Sequence, residues 1–191
     1  GLLAPVHFSR TESYIGVMID DLVNRGVSEP YRMFTSRAEY RLSLRADNAD
    51  DRLTPKAMEY GIVGPERTRK FLDRATKLEW ARELSRSRTL TPQEAARHGL
   101  ELNHDGVRRT AYELLAFPNI EVSKLAVIWP EFGMVERNIA EALEIEARYA
   151  VYMDRQARDA ALLREEEARQ IPDSADFNLL PGLSNEMRKK L

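Results

Sequence analysis

Arginines and aromatic residues are interleaved between Tyr31 and Ala46, a combination that can bind a phosphorylated polymer. Four arginines stand against one glutamate in this segment, a local net charge of +3. Guanidinium groups form paired hydrogen bonds to phosphate, and aromatic rings stack on bases. The segment therefore predicts contact with nucleic acid. Its cations are Arg32, Arg37, Arg41 and Arg45, and its aromatic residues are Tyr31, Phe34 and Tyr40.

A second basic segment extends from Pro65 to Thr89 and has eight cations against four carboxylates. A basic helix can lie along a phosphate backbone. The alternative is that these charges pair within the helix, for example Asp73 with Lys77 and Glu79 with Arg82. The cations are Arg67, Arg69, Lys70, Arg74, Lys77, Arg82, Arg86 and Arg88.

Other kinds of chemistry find little support in the sequence. The histidines His7, His98 and His104 have no carboxylate or second histidine at metal-ligand spacing. The oxygen-rich run at 47–51 lacks the central glycine and closing glutamate of a calcium loop, so it predicts a helix entry. There is no cysteine, and no fingerprint of a nucleophile elbow, phosphate loop or dinucleotide-binding turn. We predict no catalytic residue and no metal site.

The composition is that of a soluble globular protein with a charged helical surface. The 191 residues are 43% hydrophobic and 31% charged, with a net charge of −2, and they suffice for one large or two small domains. The longest apolar runs are too short to cross a bilayer, so no membrane partner is expected. The first residues lack both an initiator Met and the basic start of a secretory leader, and we expect a fragment of a longer protein.

The elements that carry the first basic segment are predicted from periodicity. Residues 16–23 have the apolar spacing of a short helix. From Arg37 to Arg45 apolar and polar residues alternate, which predicts a half-buried strand. A helix is the alternative, although it would place three arginines at repelling i, i+4 positions. In either geometry Arg37, Arg41 and Arg45 share a face.

Helix signals dominate after Asn48. Thr54-Pro55 and Gly64-Pro65 each predict a helix that begins at proline, the second extending to about Ser87. Capping boxes at Thr91 and Thr110 predict helix starts at Pro92 and Ala111. Two helices of about two turns follow, limited by Pro118 and Pro130.

One long helix is predicted from Met134 to Gln170, because this stretch has neither glycine nor proline. Its charged second half is expected to stand partly clear of the core or to await a partner. Residues 173–181 are expected to be a linker, and Ser184 to cap a terminal helix. The predicted fold is mainly α, with a short extended or β segment near residues 33–45. Its parts are a joining segment at 1–53, a helical domain at 54–171, and a linker with the start of a terminal module at 172–191.

The block from Glu29 to Leu42, which reads EPYRMFTSRAEYRL, resembles the MnmG (GidA) family. This family is the flavoprotein subunit of the tRNA uridine 5-carboxymethylaminomethyl modification enzyme. The resemblance extends from Tyr14-Ile15-Gly16-Val17 through Asp47-Asn48-Ala49-Asp50 and Arg52-Leu53-Thr54 to Gly182-Leu183-Ser184. It implies that the chain is the C-terminal part of such a subunit, with segment 1–53 next to a flavin-binding domain that lies upstream.

The resemblance also implies partners and cofactors. The family uses FAD, NADH and a folate carbon donor, works with the GTPase MnmE on the wobble uridine of tRNA, and forms a cytoplasmic homodimer. The helical C-terminal part is expected to dock tRNA and MnmE, with no cofactor bound in this fragment. A helical protein-interaction module without nucleic-acid contact is the alternative. Expected tRNA-binding or interdomain residues are Arg32, Arg37, Arg41, Arg45 and Arg52, followed by Arg67, Arg69, Lys70, Arg74, Lys77, Arg148 and Arg155.

Overall fold

The computed structural model describes residues 6–26, 28, 30–103, 105–167 and 182. Within these ranges the chain is mainly helical, as predicted. The α-helices are α1 (Tyr14–Asp20), α2 (Ala49–Glu59), α3 (Pro65–Ser87), α4 (Pro92–Arg97), α5 (Ala111–Leu115), α6 (Val122–Ile128) and α7 (Arg137–Glu167). A π-helical turn (Asp21–Arg25) continues α1, and two 3₁₀ turns span Thr35–Arg37 and Pro130–Met134. None of the described helices combines the length and the apolar character needed to cross a membrane.

The main hydrophobic core is formed by α3, α5, α6 and α7. Leu114 and Leu115 of α5 are fully buried against Leu125 of α6 and Leu143 of α7. Phe132 of the second 3₁₀ turn fills the same core. A separate small core of Val17, Ala38 and Leu44 lies in the N-terminal segment. We call residues 6–48, as far as the structure describes them, the N-terminal segment.

Both predicted capping boxes are formed. The Glu94 amide donates to the Thr91 hydroxyl at 3.3 Å, and the Thr91 amide donates to the Glu94 carboxylate at 2.8 Å. The same reciprocal pair joins Thr110 and Glu113 at 3.1 and 2.7 Å. Helices α4 and α5 therefore begin at the predicted residues. A two-residue antiparallel ladder that the sequence did not indicate joins β1 (Thr89–Leu90) to β2 (Arg109–Thr110), with Thr89 opposite Thr110.

The strand predicted at 37–45 is not formed. Residues 35–37 make a 3₁₀ turn and residues 39–43 further turns, with extended backbone at Phe34 and Ala38. The alternation instead marks burial in the small core, where Ala38, Tyr40 and Leu44 pack around Val17. The amides of Ser43 and Leu44 donate to the Tyr40 carbonyl at 2.9 and 3.1 Å, so the backbone bonds to itself rather than to a neighbouring strand.

The start of α2 also differs from its prediction. The helix begins at Ala49, and Pro55 lies inside it rather than at its first position. Asp50 and Asp51 occupy the first turn, where carboxylates interact favourably with the positive end of the helix dipole. The oxygen-rich run therefore forms a helix entry, as the sequence suggested.

The long helix α7 is present, and its second half, expected to stand partly clear of the core or to await a partner, lies outside the main core and is mostly exposed, with contacts to the N-terminal segment. The Gln156 amide donates to the Glu39 carbonyl at 3.0 Å, and the Arg164 guanidinium donates to the Thr11 hydroxyl at 3.3 Å. This half of α7 supports the N-terminal segment. The predicted end at Gln170, the linker, the terminal helix and His104 lie outside the described residues.

We expect Gly16→Ala to destabilise the N-terminal segment by about 1 to 3 kcal/mol, the usual cost of overpacking. A Cβ at Gly16 would lie 2.2 Å from the Ser9 carbonyl oxygen. That oxygen cannot move freely, because it accepts the amides of Glu12 and Ser13 at 3.0 and 3.3 Å. Hydrogen exchange of amides 10–25 measures the loss. Gly133→Ala is the control, since its Cβ would meet nothing within 4 Å; equal effects of the two changes would contradict the argument.

Candidate functional site

The carboxylate of Asp21 is the centre of the N-terminal segment. Asp21 is 1% exposed and is the first residue of the π-helical turn that follows α1. The Tyr31 hydroxyl donates to its Oδ2 at 2.9 Å and the Arg37 guanidinium at 3.3 Å. Arg10 and Arg25 form ion pairs with Oδ1 at 3.7 and 3.8 Å. One buried negative charge is thus bound by three cations and one hydroxyl group from four places in the sequence.

The pKa of Asp21 lies below its ordinary value. Burial by itself raises this pKa, but the hydrogen bonds from Tyr31 and Arg37 and the nearby charges of Arg25 and Arg10 lower it by more. The carboxylate therefore stays ionised and acts as an anchor for cations.

Arg10 is a functional side chain that the sequence analysis missed. It is 8% exposed and donates through Nη2 to both carboxylate oxygens of Glu39 at 2.8 Å. It also pairs with Asp20 and contacts the Arg37 carbonyl at 3.5 Å. Burial lowers the pKa of Arg10, but Glu39 and Asp20 raise it by more, so it stays above its ordinary value. The available signal was the acidic pair Asp20-Asp21 in an otherwise apolar helix, which needs a cation nearby.

Arg32 and Arg41 differ from the other arginines of the segment. Both are exposed, and neither guanidinium has a hydrogen-bond or ion-pair partner among the described residues. The Arg32 guanidinium lies 4.9 Å from the ring centroid of Phe34, and Arg37 lies 5.3 Å from that of Tyr31. These four side chains line an open cleft of about 450 Å³ together with Gly26, Ser28 and Pro30.

Arg45 and Arg52 are held within the fold. Arg45 donates to both oxygens of Asp47 at 3.0 Å, and its guanidinium lies 4.3 Å from the ring centroid of Tyr149 on α7. Arg52 donates to the Asn48 side chain at 2.9 Å, to the Arg45 carbonyl at 3.2 Å and to the Glu12 carbonyl. These two arginines join α2 and the N-terminal segment to α7. Arg37, Arg41 and Arg45, which were expected to share a face, have different partners: Arg37 binds Asp21, Arg45 binds Asp47, and Arg41 has none among the described residues.

Most cations of α3 are paired: Lys70, Lys77 and Arg82 have partners within the helix, as in the alternative drawn from the sequence, whereas Arg67 and Arg74 pair with carboxylates of α2. The anticipated pairs are both present, Lys77 with Asp73 at 2.9 Å and Arg82 with Glu79 at 3.0 Å. Lys77 also binds Glu136 at 2.7 Å. Arg69 has no ion-pair partner among the described residues. The other pairs are Arg67 with Asp50, Lys70 with Glu66, Arg74 with Asp51, and Arg148 with Glu144 on α7.

Arg155 and a possible metal site remain to be placed among the predicted site residues. The side chain of Arg155 lies outside the described residues, although its backbone belongs to α7. In the part of the chain that the structure describes, no three His, Asp or Glu side chains come together in a group that could hold a metal ion. Arg32, which lines the cleft, and Arg41 keep exposed guanidinium groups with no anionic partner among the described residues, so each of them can bind an anion.

Comparisons with a family model and with curated proteins both find similarity to MnmG/GidA. Residues 65–157 match the model of a family described as the tRNA modifying enzyme MnmG/GidA C-terminal helical domain. The chain is 44% identical over 190 residues to the tRNA uridine 5-carboxymethylaminomethyl modification enzyme MnmG of Geobacter sulfurreducens, and 42% identical over 192 residues to that of Chloroflexus aurantiacus. Each alignment covers 98% of this chain, but only 30% and 29% of the relative.

Solved structures give the same likeness. GidA of Aquifex aeolicus in its form II crystal superposes with a TM-score of 0.76 at 33% identity. The match covers 98% of this chain and 30% of that one. The form I crystal gives a TM-score of 0.74 at 32% identity. The chain thus spans about 30% of the length of the proteins that it matches.

We expect Asp21→Asn to destabilise the N-terminal segment by about 1.5 to 3 kcal/mol, the range for hydrogen bonds to a charged group. Because the folded pKa of Asp21 is lowered, its contribution is present above the unfolded pKa of about 4 and is lost as the pH falls further. Hydrogen exchange of residues 10–47 between about pH 6 and pH 3 measures both effects.

Asp47→Asn is the matched control, since the Asp47 side chain is 41% exposed and Arg45 is its ion-pair partner among the described residues. Its effect should stay within about 1 kcal/mol. Equal losses for the two variants, or an unchanged acid profile for Asp21→Asn, would show that Asp21 is not the anchor.

Proposed function

The chain belongs to the MnmG/GidA family, as its C-terminal helical part, and on this premise we propose that it docks tRNA for a tRNA-modifying enzyme. The modification would be that named for its relatives, 5-carboxymethylaminomethyl addition to uridine, here at the wobble position. The observation that carries the proposal is the exposed pair Arg32 and Arg41, whose guanidinium groups have no anionic partner among the described residues.

Free guanidinium groups are what a phosphate backbone requires. An arginine that is already paired with a carboxylate has fewer free N–H donors and a largely neutralised charge to offer a phosphate, whereas an unpaired arginine offers all five donors and its full charge. Phe34 beside Arg32 and Tyr31 beside Arg37 add aromatic faces to the same cleft. Arginine and aromatic side chains together suit a polyanion that carries bases.

The remaining arginines of the N-terminal segment support a positioning role. Arg37 is bonded to Asp21, Arg45 to Asp47, and Arg52 to an amide and two carbonyl oxygens. We assign them to holding the loop that presents Arg32 and Arg41. On α3, Arg69 is the best candidate for a further phosphate contact, because it has no ion-pair partner among the described residues.

FAD and NADH enter the proposal only for the longer protein. A dinucleotide-binding turn needs several glycines between one strand and one helix. Here the positive-φ glycines of the described residues are far apart in the sequence, so these residues do not fit either group; they are Gly26, Gly61, Gly99, Gly106 and Gly182. We place both cofactors in a part of the longer protein outside this chain and derive no step through them.

A second role, protein docking, is supported by a different observation. Val151, Tyr152 and Leu162 are exposed apolar side chains on α7. We propose α7 as the surface for the GTPase MnmE or for a second subunit of the cytoplasmic enzyme. An apolar contact of this kind changes little with salt, whereas phosphate contacts weaken steeply as salt rises.

We expect the double variant Arg32→Ala with Arg41→Ala to weaken binding of unmodified tRNA by about tenfold or more, as for the loss of charged hydrogen bonds. The slope of log affinity against log salt should fall by about 1 for each phosphate contact removed. Fluorescence anisotropy at about 50 to 200 mM salt measures both quantities.

Arg137→Ala is the control, because the Arg137 side chain is 93% exposed at the start of α7 and pairs with Glu141. It should leave both affinity and slope unchanged. If the double variant binds tRNA with the same affinity and salt slope as the wild-type chain, Arg32 and Arg41 do not contact phosphate. Binding to MnmE without any binding to tRNA would leave protein docking as the function.

A further inference from the structure

A small polar cavity lies where the N-terminal segment, α2, α3 and α7 meet. Its volume is about 230 Å³, and we call it the junction cavity. Four arginines and three carboxylates line it, so its side chains carry a net charge of +1. The arginines are Arg45 of the N-terminal segment, Arg52 of α2, and Arg74 and Arg82 of α3. The cavity therefore brings together positive charge from three separate elements.

Each carboxylate of the junction cavity is already bound to one of its arginines. The pairs are Asp47 with Arg45 at 3.0 Å, Asp51 with Arg74, and Glu146 with Arg82 at 2.7 Å. Arg52 has no ion-pair partner among the described residues. The excess positive charge of the cavity therefore belongs to Arg52.

Arg52 is held in place by neutral groups. Its half-buried guanidinium donates to the Asn48 side chain at 2.9 Å, to the Arg45 carbonyl at 3.2 Å and to the Glu12 carbonyl. These bonds use three of its five N–H groups, so two remain for a ligand. Burial and the nearby charge of Arg45 lower the pKa of Arg52, as is typical of a cation without a counter-ion. A half-buried charge of this kind favours the entry of an anion.

Arg74 offers further donors to the same cavity. It pairs with Asp51 through Nη1, and its remaining N–H groups have no acceptor among the described residues. Guanidinium groups bind the oxygens of a compact oxyanion in pairs. The cavity is larger than the roughly 30 Å³ of one water molecule but smaller than the roughly 300 Å³ at which pockets for drug-sized ligands begin. Its size therefore suits an inorganic oxyanion better than a nucleotide.

We propose that the junction cavity binds a free compact oxyanion of the phosphate type, with Arg52 and Arg74 as its donors. The bound anion would join α2 to α3 and, through the bonds of Arg52 to the Glu12 and Arg45 carbonyls, to the N-terminal segment. It would thereby strengthen the support of the loop that carries Arg32. Binding here does not depend on whether the chain docks tRNA.

Calorimetric titration of the chain with sodium phosphate at constant ionic strength tests the site directly. We expect a Kd of about 1 mM or tighter. Arg52→Gln and Arg74→Gln should each weaken binding about tenfold, because each removes charged hydrogen bonds to the anion. Arg97→Gln is the matched control, since it removes the same charge from an exposed position on α4 that does not line the cavity. It should leave the Kd unchanged.

Hydrogen exchange locates the bound anion. Phosphate at about ten times its Kd should slow the exchange of amides 45–54 about tenfold in the wild-type chain, because it binds the closed form alone. The protection should be lost in Arg74→Gln. Since Arg74 pairs with α2 and not with the N-terminal segment, this variant tests the site even if Arg52→Gln loosens that segment. The absence of binding by about 10 mM phosphate, or one Kd shared by all three variants and the wild-type chain, would overturn the proposal.

A titration in the presence of unmodified tRNA separates a free anion from a phosphate of an RNA backbone. Phosphate should bind with the same Kd whether or not tRNA is present. Loss of phosphate binding on addition of tRNA would show that the cavity takes a backbone phosphate, and would overturn the assignment to a free anion. Failure of tRNA binding through Arg32 and Arg41 leaves the phosphate Kd unaffected, so the two proposals can fail independently.

Discussion

A carboxylate buried in an otherwise apolar helix determines the arrangement of the N-terminal segment. An ionised group that leaves water must be surrounded by cations and hydrogen-bond donors. Asp21 obtains them from Arg10 before the helix, Arg25 at its end, and Tyr31 and Arg37 after it. The chain therefore folds around α1 in a loop. Arg10 and Arg37 form ion pairs with Asp21 inside this loop, whereas Arg32 and Arg41 are exposed to solvent.

Helix α7 joins two unequal cores. Its first half packs Ile139, Leu143 and Ala147 into the main core. Its second half holds the N-terminal segment by mostly polar contacts, among them Gln156 with Glu39. The small core around Val17 is too limited to be stable alone, since three or so buried side chains cannot offset the entropy of ordering the segment. The orientation of the candidate site thus depends on one helix.

Local signals predicted much of the helical framework. Proline at the start of α3 and the reciprocal caps at Thr91 and Thr110 are decided by neighbours in sequence, and each appears where expected. The alternation at 37–45 does not correspond to a paired strand, because it reflects contacts with α1 and α7. The burial of Arg10 could not be predicted from its neighbours in sequence, because its partner Glu39 is 29 residues away. Which arginines are free is decided by such distant partners, so residue type and spacing alone could not separate Arg32 from Arg37.

The contacts between α7 and the N-terminal segment also set an order of events during synthesis. Gln156 and Arg164 follow their partners Glu39 and Thr11 by 117 and 153 residues. At about 5 to 20 residues per second, a ribosome needs roughly 6 to 30 s to make that length of chain. The N-terminal segment leaves the ribosome first and must wait for α7 before its own fold is complete. During that interval the loop around Asp21 can form, because its partners are all close in sequence, whereas the support beneath it does not yet exist.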